Sequence, residues 1–238
     1  MTTRVLYTEH RIQTLTVAAL RRIEFTPDLT EQVYQRLLDA ICSGELAPGA
    51  RLTQEELADS FDVSRQPVLQ ALRLLKKEGV AIDSGRRGLI VAPVDAQLIE
   101  HLYEVRAVLD GLAARQAATA GAAIDAAMID RGRKAAAGSR VGQMIDADID
   151  FHNAIYAASG NPLIAETAGR HWHHIRRAMG AVLEVAGARE PVWDEHEAIL
   201  EAINSGDAEQ AERLARAHCG AAGQALAARL NQRTRAAS

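Results

Sequence analysis

From residue 94 to its end the chain is alanine-rich, poor in β-branched runs and apolar at helical spacing, so this stretch can fold into a bundle of helices and into little else. Turn and capping signals mark the breaks at Gly121, Gly138 to Gly142, Gly160-Asn161-Pro162, Gly187 to Pro191 and Ser205-Gly206-Asp207. They partition the stretch into about six helices. Asn161 is a cap followed by a proline at the first helical position, where the missing N–H costs nothing, and Asp207 follows Gly206 as a helix end followed by a cap. No internal repeat runs through it.

Upstream of Ala92-Pro93-Val94 the pattern changes. A helix is expected from about Leu29 to Ser43, with Val33, Leu37, Leu38 and Ile41 facing inward and Gly44 closing it. Thr53-Gln-Glu-Glu56 has the capping-box pattern and predicts a second helix running to about Ser60. Asp62-Val63 is the turn. Ser64 then caps a third helix with Pro67 in its first turn, Val68, Leu72 and Leu75 inward, and Gly79 at its end. Val80-Ala-Ile82 and Leu89-Ile-Val91 are β-prone runs joined by a turn-rich tip, Asp83 to Gly88, that bears two arginines. Three helices and a β-hairpin in this order make a winged helix-turn-helix. The fold class is therefore mainly α: a winged helix-turn-helix over 28–93 and an all-α bundle over 94–238, preceded by an arm, 1–27, whose apolar residues keep no clean period.

A recognition helix meets base edges with its first turns, where an arginine fork suits guanine and a glutamine suits adenine. The start of the third helix carries Arg65, Gln66, Gln70 and Arg73, with Lys76 and Lys77 further on for phosphates. Residues 62 to 88 hold six Lys/Arg against three Asp/Glu, inside a chain of net charge −4. That asymmetry fits a groove-reading face on an acidic body. The alternative is a small solvated helical hairpin whose charges do nothing.

Pro48-Gly49-Ala-Arg51-Leu52, Glu56-Leu57-Ala58, Val63-Ser64-Arg65-Gln66-Pro67-Val68, Ala71-Leu72-Arg73 and Glu78-Gly79 resemble the amino-terminal signature of the GntR family of bacterial transcription regulators. The resemblance implies DNA contacts from Arg51, Arg65 and Arg73 and a wing tip at Gly85 and Arg86. Leu69-Gln70 stands where that family usually has Arg-Glu, so the operator is expected to differ at the base pair under Leu69.

With 238 residues, 48% hydrophobic and 24% charged, the chain suits two domains of ordinary size. No apolar run approaches a membrane span, and Leu15 to Leu20 is too short for a signal peptide, so a cytoplasmic protein without membrane contact is expected. Cys42 and Cys219 form no CxxC pair, which suggests neither a disulfide framework nor a thiolate metal site.

In the bundle, polar residues occupy positions whose period points at the core. Asp148 and His152 continue the stripe of Val141, Ile145 and Ile155; His196 falls with Val192, Ile199 and Ile203; His218 falls with Leu214, Ala222 and Ala225. Each buried alone would cost a few kcal/mol, on the order of the 2–7 kcal/mol of an unpaired polar group. A divalent cation satisfies one carboxylate and three neutral imidazoles together, although Asp148 and His152 could also form a local ion pair. His171-Trp172-His173-His174 spreads its rings around a helix and reads as pocket lining or surface.

Asp148-x-x-Phe151-His152, Asn161-Pro162-Leu163, Glu195-His196-x-x-Ile199-Leu200 and His218 are similar to the FCD effector domain of the FadR subfamily of GntR regulators. This resemblance implies one divalent ion per chain on Asp148, His152, His196 and His218, with Zn first and Mn, Ni or Co as alternatives. It also implies a small organic or sugar acid as effector. Arg106, in Tyr103-Glu104-Val105-Arg106, matches a family arginine that would pair with the effector carboxylate, the alternative being a surface salt bridge with Glu104 or Asp110. Asn153 and Arg177 are further effector-binding candidates.

The expectation is a ligand-responsive, non-enzymatic regulator of double-stranded operator DNA. It is expected to be a homodimer, since one recognition helix reads too few base pairs. A direct metal sensor is the runner-up. A metal-dependent hydrolase is the alternative of another class, weakened by the lack of an evident general base near the four ligands.

Overall fold

The structure is a computed structural model that describes residues 28–85, 88–183 and 191–236. The expected arm 1–27 and the wing-tip residue Arg86 lie outside the described residues. The first body runs α1 (Leu29–Cys42), β1 (Arg51–Leu52), α2 (Gln54–Phe61), α3 (Arg65–Lys77), β2 (Ala81–Asp83) and β3 (Leu89–Val91). Asp28 starts α1 by accepting from the Glu31 amide at 3.1 Å. Between α2 and α3, Asp62 takes the left-handed conformation, φ 52°, that turns the chain without a glycine.

The period of 3.6 puts Val68, Leu72 and Leu75 of α3 on one buried face against Val33, Leu37 and Ile41 of α1. Each such side chain contributes about 1.5–3 kcal/mol on leaving water. The sheet has three antiparallel strands in the order β1-β3-β2, with Arg51 opposite Ile90 and Ile82 opposite Ile90 on the other side. The hairpin stands where the sequence places it. Strand β1 was not expected, because two residues carry no period. The capping box also needs correction. Thr53 and Ser64 have the extended backbone of cap residues, yet neither side chain bonds to its helix. Both starts face solvent, where water can serve the free amides. Gln54 Nε2 instead donates to the Arg65 carbonyl at 2.7 Å, tying the start of α2 to that of α3.

The second body is α4 (Ala96–Thr119), α5 (Ala127–Ala136), α6 (Val141–Ala158), α7 (Pro162–Gly169), α8 (Trp172–Leu183), α9 (Pro191–Asn204) and α10 (Ala208–Ala236). The described residues thus hold seven helices in place of about six. The extra break falls at Arg170-His171, without a proline, after a Gly169 that is still helical. Asn161 and Asp207 cap as expected, accepting from the Leu163 amide at 3.2 Å and the Gln210 amide at 3.0 Å. Alanines explain the tight pairing of the two longest helices, α4 and α10. Ala113, Ala114, Ala117, Ala211 and Ala215 are all buried, and a Cβ on Gly223 would stand 2.4 Å from Tyr103 Cβ. Among the described residues no helix is long and apolar enough to cross a membrane.

Gly132 is more constrained still, because a Cβ there would fall 2.0–2.2 Å from three ring atoms of Trp193. Gly132→Ala is expected to destabilise the protein by about 1–3 kcal/mol through overpacking, and more if the rigid indole cannot turn. A melting temperature equal to wild type would show that α5 and α9 are free to separate.

Candidate metal centre and DNA-reading face

Helix α6 brings Asp148 and His152 to its inner face one turn apart, α9 supplies His196 and α10 supplies His218. All four are buried, His196 completely. The three histidines each offer a ring nitrogen within 4.8 Å of the others. His196 Nε2 lies 3.1 Å from His218 Nε2. Asp148 stands beside them, its Oδ1 3.7 Å from His196 Nε2 and its Oδ2 4.0 Å from His152 Nε2. The structure therefore gathers all four residues that the sequence pointed to.

Two carboxylates orient these rings from behind. Asp110 of α4 lies 2.9 Å from His152 Nδ1, which donates to it and leaves Nε2 with a lone pair, buried and without a hydrogen-bond partner. Glu195 lies 2.7 Å from His218 Nδ1 and fixes that ring in the same sense. Such carboxylate–imidazole pairs set the tautomer a metal ligand needs. Burial would push the Asp110 pKa up, but the Arg106 guanidinium and His152 outweigh it and hold the carboxyl far below its usual range. Burial, with the imidazoles of His152 and His218 nearby, drives the His196 pKa well down, so this ring is neutral at pH 7. Glu195 is lowered by its bond to His218.

The donor set fits a divalent ion. Two nitrogens on one tetrahedral ion, with bonds of ~2.0–2.1 Å, stand roughly 3.3 Å apart, close to the separation of the two Nε2 atoms. A desolvated trio of imidazoles with a carboxylate at its edge is compatible with Zn and with the other imidazole-binding metals.

Above the cluster opens a cavity of about 220 Å3. Tyr103, Arg106, Asp148 and His218 line its polar side, Val182 and Leu226 are among its apolar walls, and exposed Arg229 also borders it. Arg106 is buried, so the surface salt bridge weighed from sequence is corrected: its Nε is 3.5 Å from Asp110 Oδ2 in the interior. Its guanidinium lies 4.4 Å from the Trp172 ring and 5.2 Å from that of Tyr103. Its Nη2 has no hydrogen-bond partner. Asn153 is exposed on α6 and does not line the cavity. Arg177 lines a different cleft, at the junction of the two bodies, and donates to the Ala92 carbonyl. His171, His173 and His174 border that junction and stay outside the histidine cluster.

Sequence reasoning weighed Asp110 only as a partner of Arg106, named Glu195 and Cys219 without giving them a role in the site, and did not single out Tyr156. The Tyr156 hydroxyl and the Cys219 thiol both donate to Asp110. The signal was present in part: Asp110 falls one helical turn after Arg106, on the face of α4 that turns inward.

On the first body, Arg65 opens α3 with its side chain 65% exposed and paired with Glu55 of α2. An exposed pair contributes at most about 1 kcal/mol, so Arg65 is readily given up to another anion. Gln66 and Arg73 are exposed beside it, and Gln70 is half-buried. Arg51 is exposed on β1 and Gly85, φ 78°, is exposed at the wing. Lys76 pairs with Asp83 of β2 at 2.7 Å, bracing the wing against α3.

A family profile for the FCD domain matches residues 101–221, and one for bacterial regulatory proteins of the gntR family matches residues 29–91. The HTH-type transcriptional regulator LutR of Bacillus subtilis (strain 168) is 30% identical over 210 residues, 75% of this chain and 92% of that protein. The HTH-type transcriptional repressor NanR of Klebsiella aerogenes is 27% identical over 213 residues, 80% of this chain and 82% of that one. The HTH-type transcriptional regulator YdhC of Bacillus subtilis is 37% identical over 82 residues, a match that spans 34% of this chain and 37% of the relative. Among solved structures, E. coli McbR/YncC superposes with a TM-score of 0.69 at 21% identity, covering 87% of this chain and 98% of its own. At that identity the likeness concerns the fold.

Proposed function

The chain belongs to the GntR family of bacterial regulatory proteins and carries an FCD domain, so it is a transcription regulator, and we propose that it is one whose bundle binds a divalent ion together with a small carboxylate effector. The observation that carries this reading is the meeting of two features at one cavity: its wall holds a buried arginine with an unpartnered N–H, and also His218 and Asp148 of the cluster in which His152 and His196 converge behind them. An ion held there by His152, His196, His218 and Asp148 would supply a Lewis-acidic centre with open positions for a ligand oxygen. Arg106 can then take the carboxylate through its free Nη2 while Asp110 keeps its charge compensated.

A ligand regulates only if it binds two arrangements of the protein unequally. Arg106 belongs to α4, which follows the wing strand β3 directly through Pro93, and Met179 and Val182 of α8 also border the cavity. Helix α8 packs against α1 and α4 continues the chain from the first body, so an effector seated between them can shift its orientation. In a homodimer this sets the spacing of two recognition helices on the operator.

For the DNA-reading face the proposed contacts are Arg51, Arg65, Gln66, Gln70, Arg73, Gly85 and Arg86. Arg65→Ala is expected to lower specific operator binding by about 1–3 kcal/mol, roughly 5- to 150-fold, with the fold intact. Selection from a random duplex pool supplies the operator, and titration at one fixed salt concentration checks the variant. Unchanged affinity would remove α3 from the major groove. The function as a whole is tested by elemental analysis of the purified protein, followed by a thermal-shift screen of organic acids and operator titration with each hit.

A further inference from the structure

We propose that the cleft between the two bodies, walled by Arg177, is a second binding site that takes a small oxyanion, either phosphate or a free carboxylate. It lies between α8 and the connection from β3 to α4, with Gly79, Ala92, Asp95, Leu98 and His174 around Arg177, and its volume is about 220 Å3. It is separate from the cavity above the histidine cluster and does not depend on the reading of that cavity.

The observation behind it is a buried charge without a counter-charge. Arg177 is 6% exposed, as deep as Arg106. Arg106 has Asp110 at 3.5 Å, whereas Arg177 has the neutral carbonyl of Ala92 and pairs with no carboxylate of the described residues. The carboxylates nearby are committed elsewhere. Asp95 caps α4 through the Gln97 and Leu98 amides, Glu78 accepts from the Tyr34 hydroxyl at 2.5 Å, and Asp146 holds Arg176 at 2.5 Å. Cys42, the one group that favours the Arg177 charge, is a thiol whose pKa burial pushes up to about 11, so it stays neutral at pH 7. His174, on the cleft wall, is held down at about 4 by burial and by its histidine neighbour and adds no negative charge.

A guanidinium keeps its charge at any physiological pH and has five N–H donors, of which the Ala92 carbonyl uses one. Desolvating such an ion without a partner is strongly unfavourable, and a fold that keeps it needs compensation from outside. An oxyanion in the adjoining cleft supplies the missing charge and meets the planar donors in the fork geometry that arginine offers phosphates and carboxylates. It would sit beside Ala92, whose amide donates to the Val80 carbonyl at 2.9 Å. Occupancy would therefore fasten α8 to the backbone that joins the wing to the bundle.

The test is thermal melting of the full chain in sodium phosphate, against sodium chloride at equal ionic strength, for wild type, Arg177→Gln and Leu98→Glu. Phosphate is expected to raise the wild-type melting temperature by several degrees beyond chloride. The rise is expected to vanish in Arg177→Gln and in Leu98→Glu, where a tethered carboxylate fills the role of the anion. Repeating the series in sodium acetate tells the two oxyanion classes apart. The proposal is overturned if neither anion acts beyond chloride on wild type, or if the rise survives Arg177→Gln. A rise that is lost with Arg106→Lys and kept with Arg177→Gln belongs to the other cavity and also overturns it. Should Arg177→Gln fail to fold, a rise retained in Leu98→Glu rejects the proposal by itself.

Discussion

His196→Ala is expected to abolish retention of the divalent ion and to lower the melting temperature more than any other single change in the bundle. Wild-type protein should carry about one ion per chain by elemental analysis. An ion present at about 1,000 times its dissociation constant stabilises the fold by about 4 kcal/mol. For a chain of this size that is roughly 8–16 °C of melting temperature. The side chain is fully buried and stacks on the Phe151 ring at 4.0 Å, so its truncation also leaves a void. Chelation separates the two losses: metal-free wild type reports the ion alone, and metal-free His196→Ala adds the void. Metal-free wild type that takes up none of Zn, Mn, Ni or Co would refute the centre. Uptake without a gain in melting temperature would refute only its contribution to stability.

Arg106→Lys is expected to weaken the response of operator affinity to the best carboxylate hit by about 10- to 150-fold, the worth of a charge-assisted forked contact of roughly 1.5–3 kcal/mol. Metal content and effector-free DNA binding should remain. The buried network makes lysine, rather than alanine, the informative substitution. Arg106 compensates Asp110, and Asp110 holds His152, so alanine would leave a buried carboxylate short of its strongest partner and disturb a candidate metal ligand. Breaking a buried pair costs about 3–5 kcal/mol. Lysine keeps a positive charge and gives up the fork. If Arg106→Lys answers the effector as wild type does, the carboxylate sits elsewhere in the cavity, with Arg229 the next residue to change.

What was legible in sequence followed periodicity and composition. Helices long enough to show a stripe emerged, and the same stripes exposed Asp148, His152, His196 and His218 as polar residues in apolar places; on α10 the expected face is displaced, since Ala215, His218, Cys219 and Leu226 are buried while Leu214 and Ala222 are half-buried and Ala225 is exposed. Three kinds of feature escaped. Strand β1 is too short to have a period. The break between α7 and α8 has no proline, and its glycine stays helical. Partners drawn from distant segments, such as Asp110 behind His152, depend on how α4 lies against α6, which no local pattern records. Asn153 and Arg177 show the converse limit. Both sit on helices that border the cavity, but one faces solvent and the other faces the domain junction.

The two tryptophans of the chain have a further consequence. Trp193 stands edge-on to His196 at 4.7 Å between ring centroids, and Trp172 lies 6.0 Å from His152 with the Arg106 guanidinium over its face. Neither belongs to the DNA-reading body. Each indole thus lies against a histidine of the candidate centre, so an ion or effector bound as proposed would be read in the intrinsic emission of the unmodified chain, without a label and even in the presence of operator DNA.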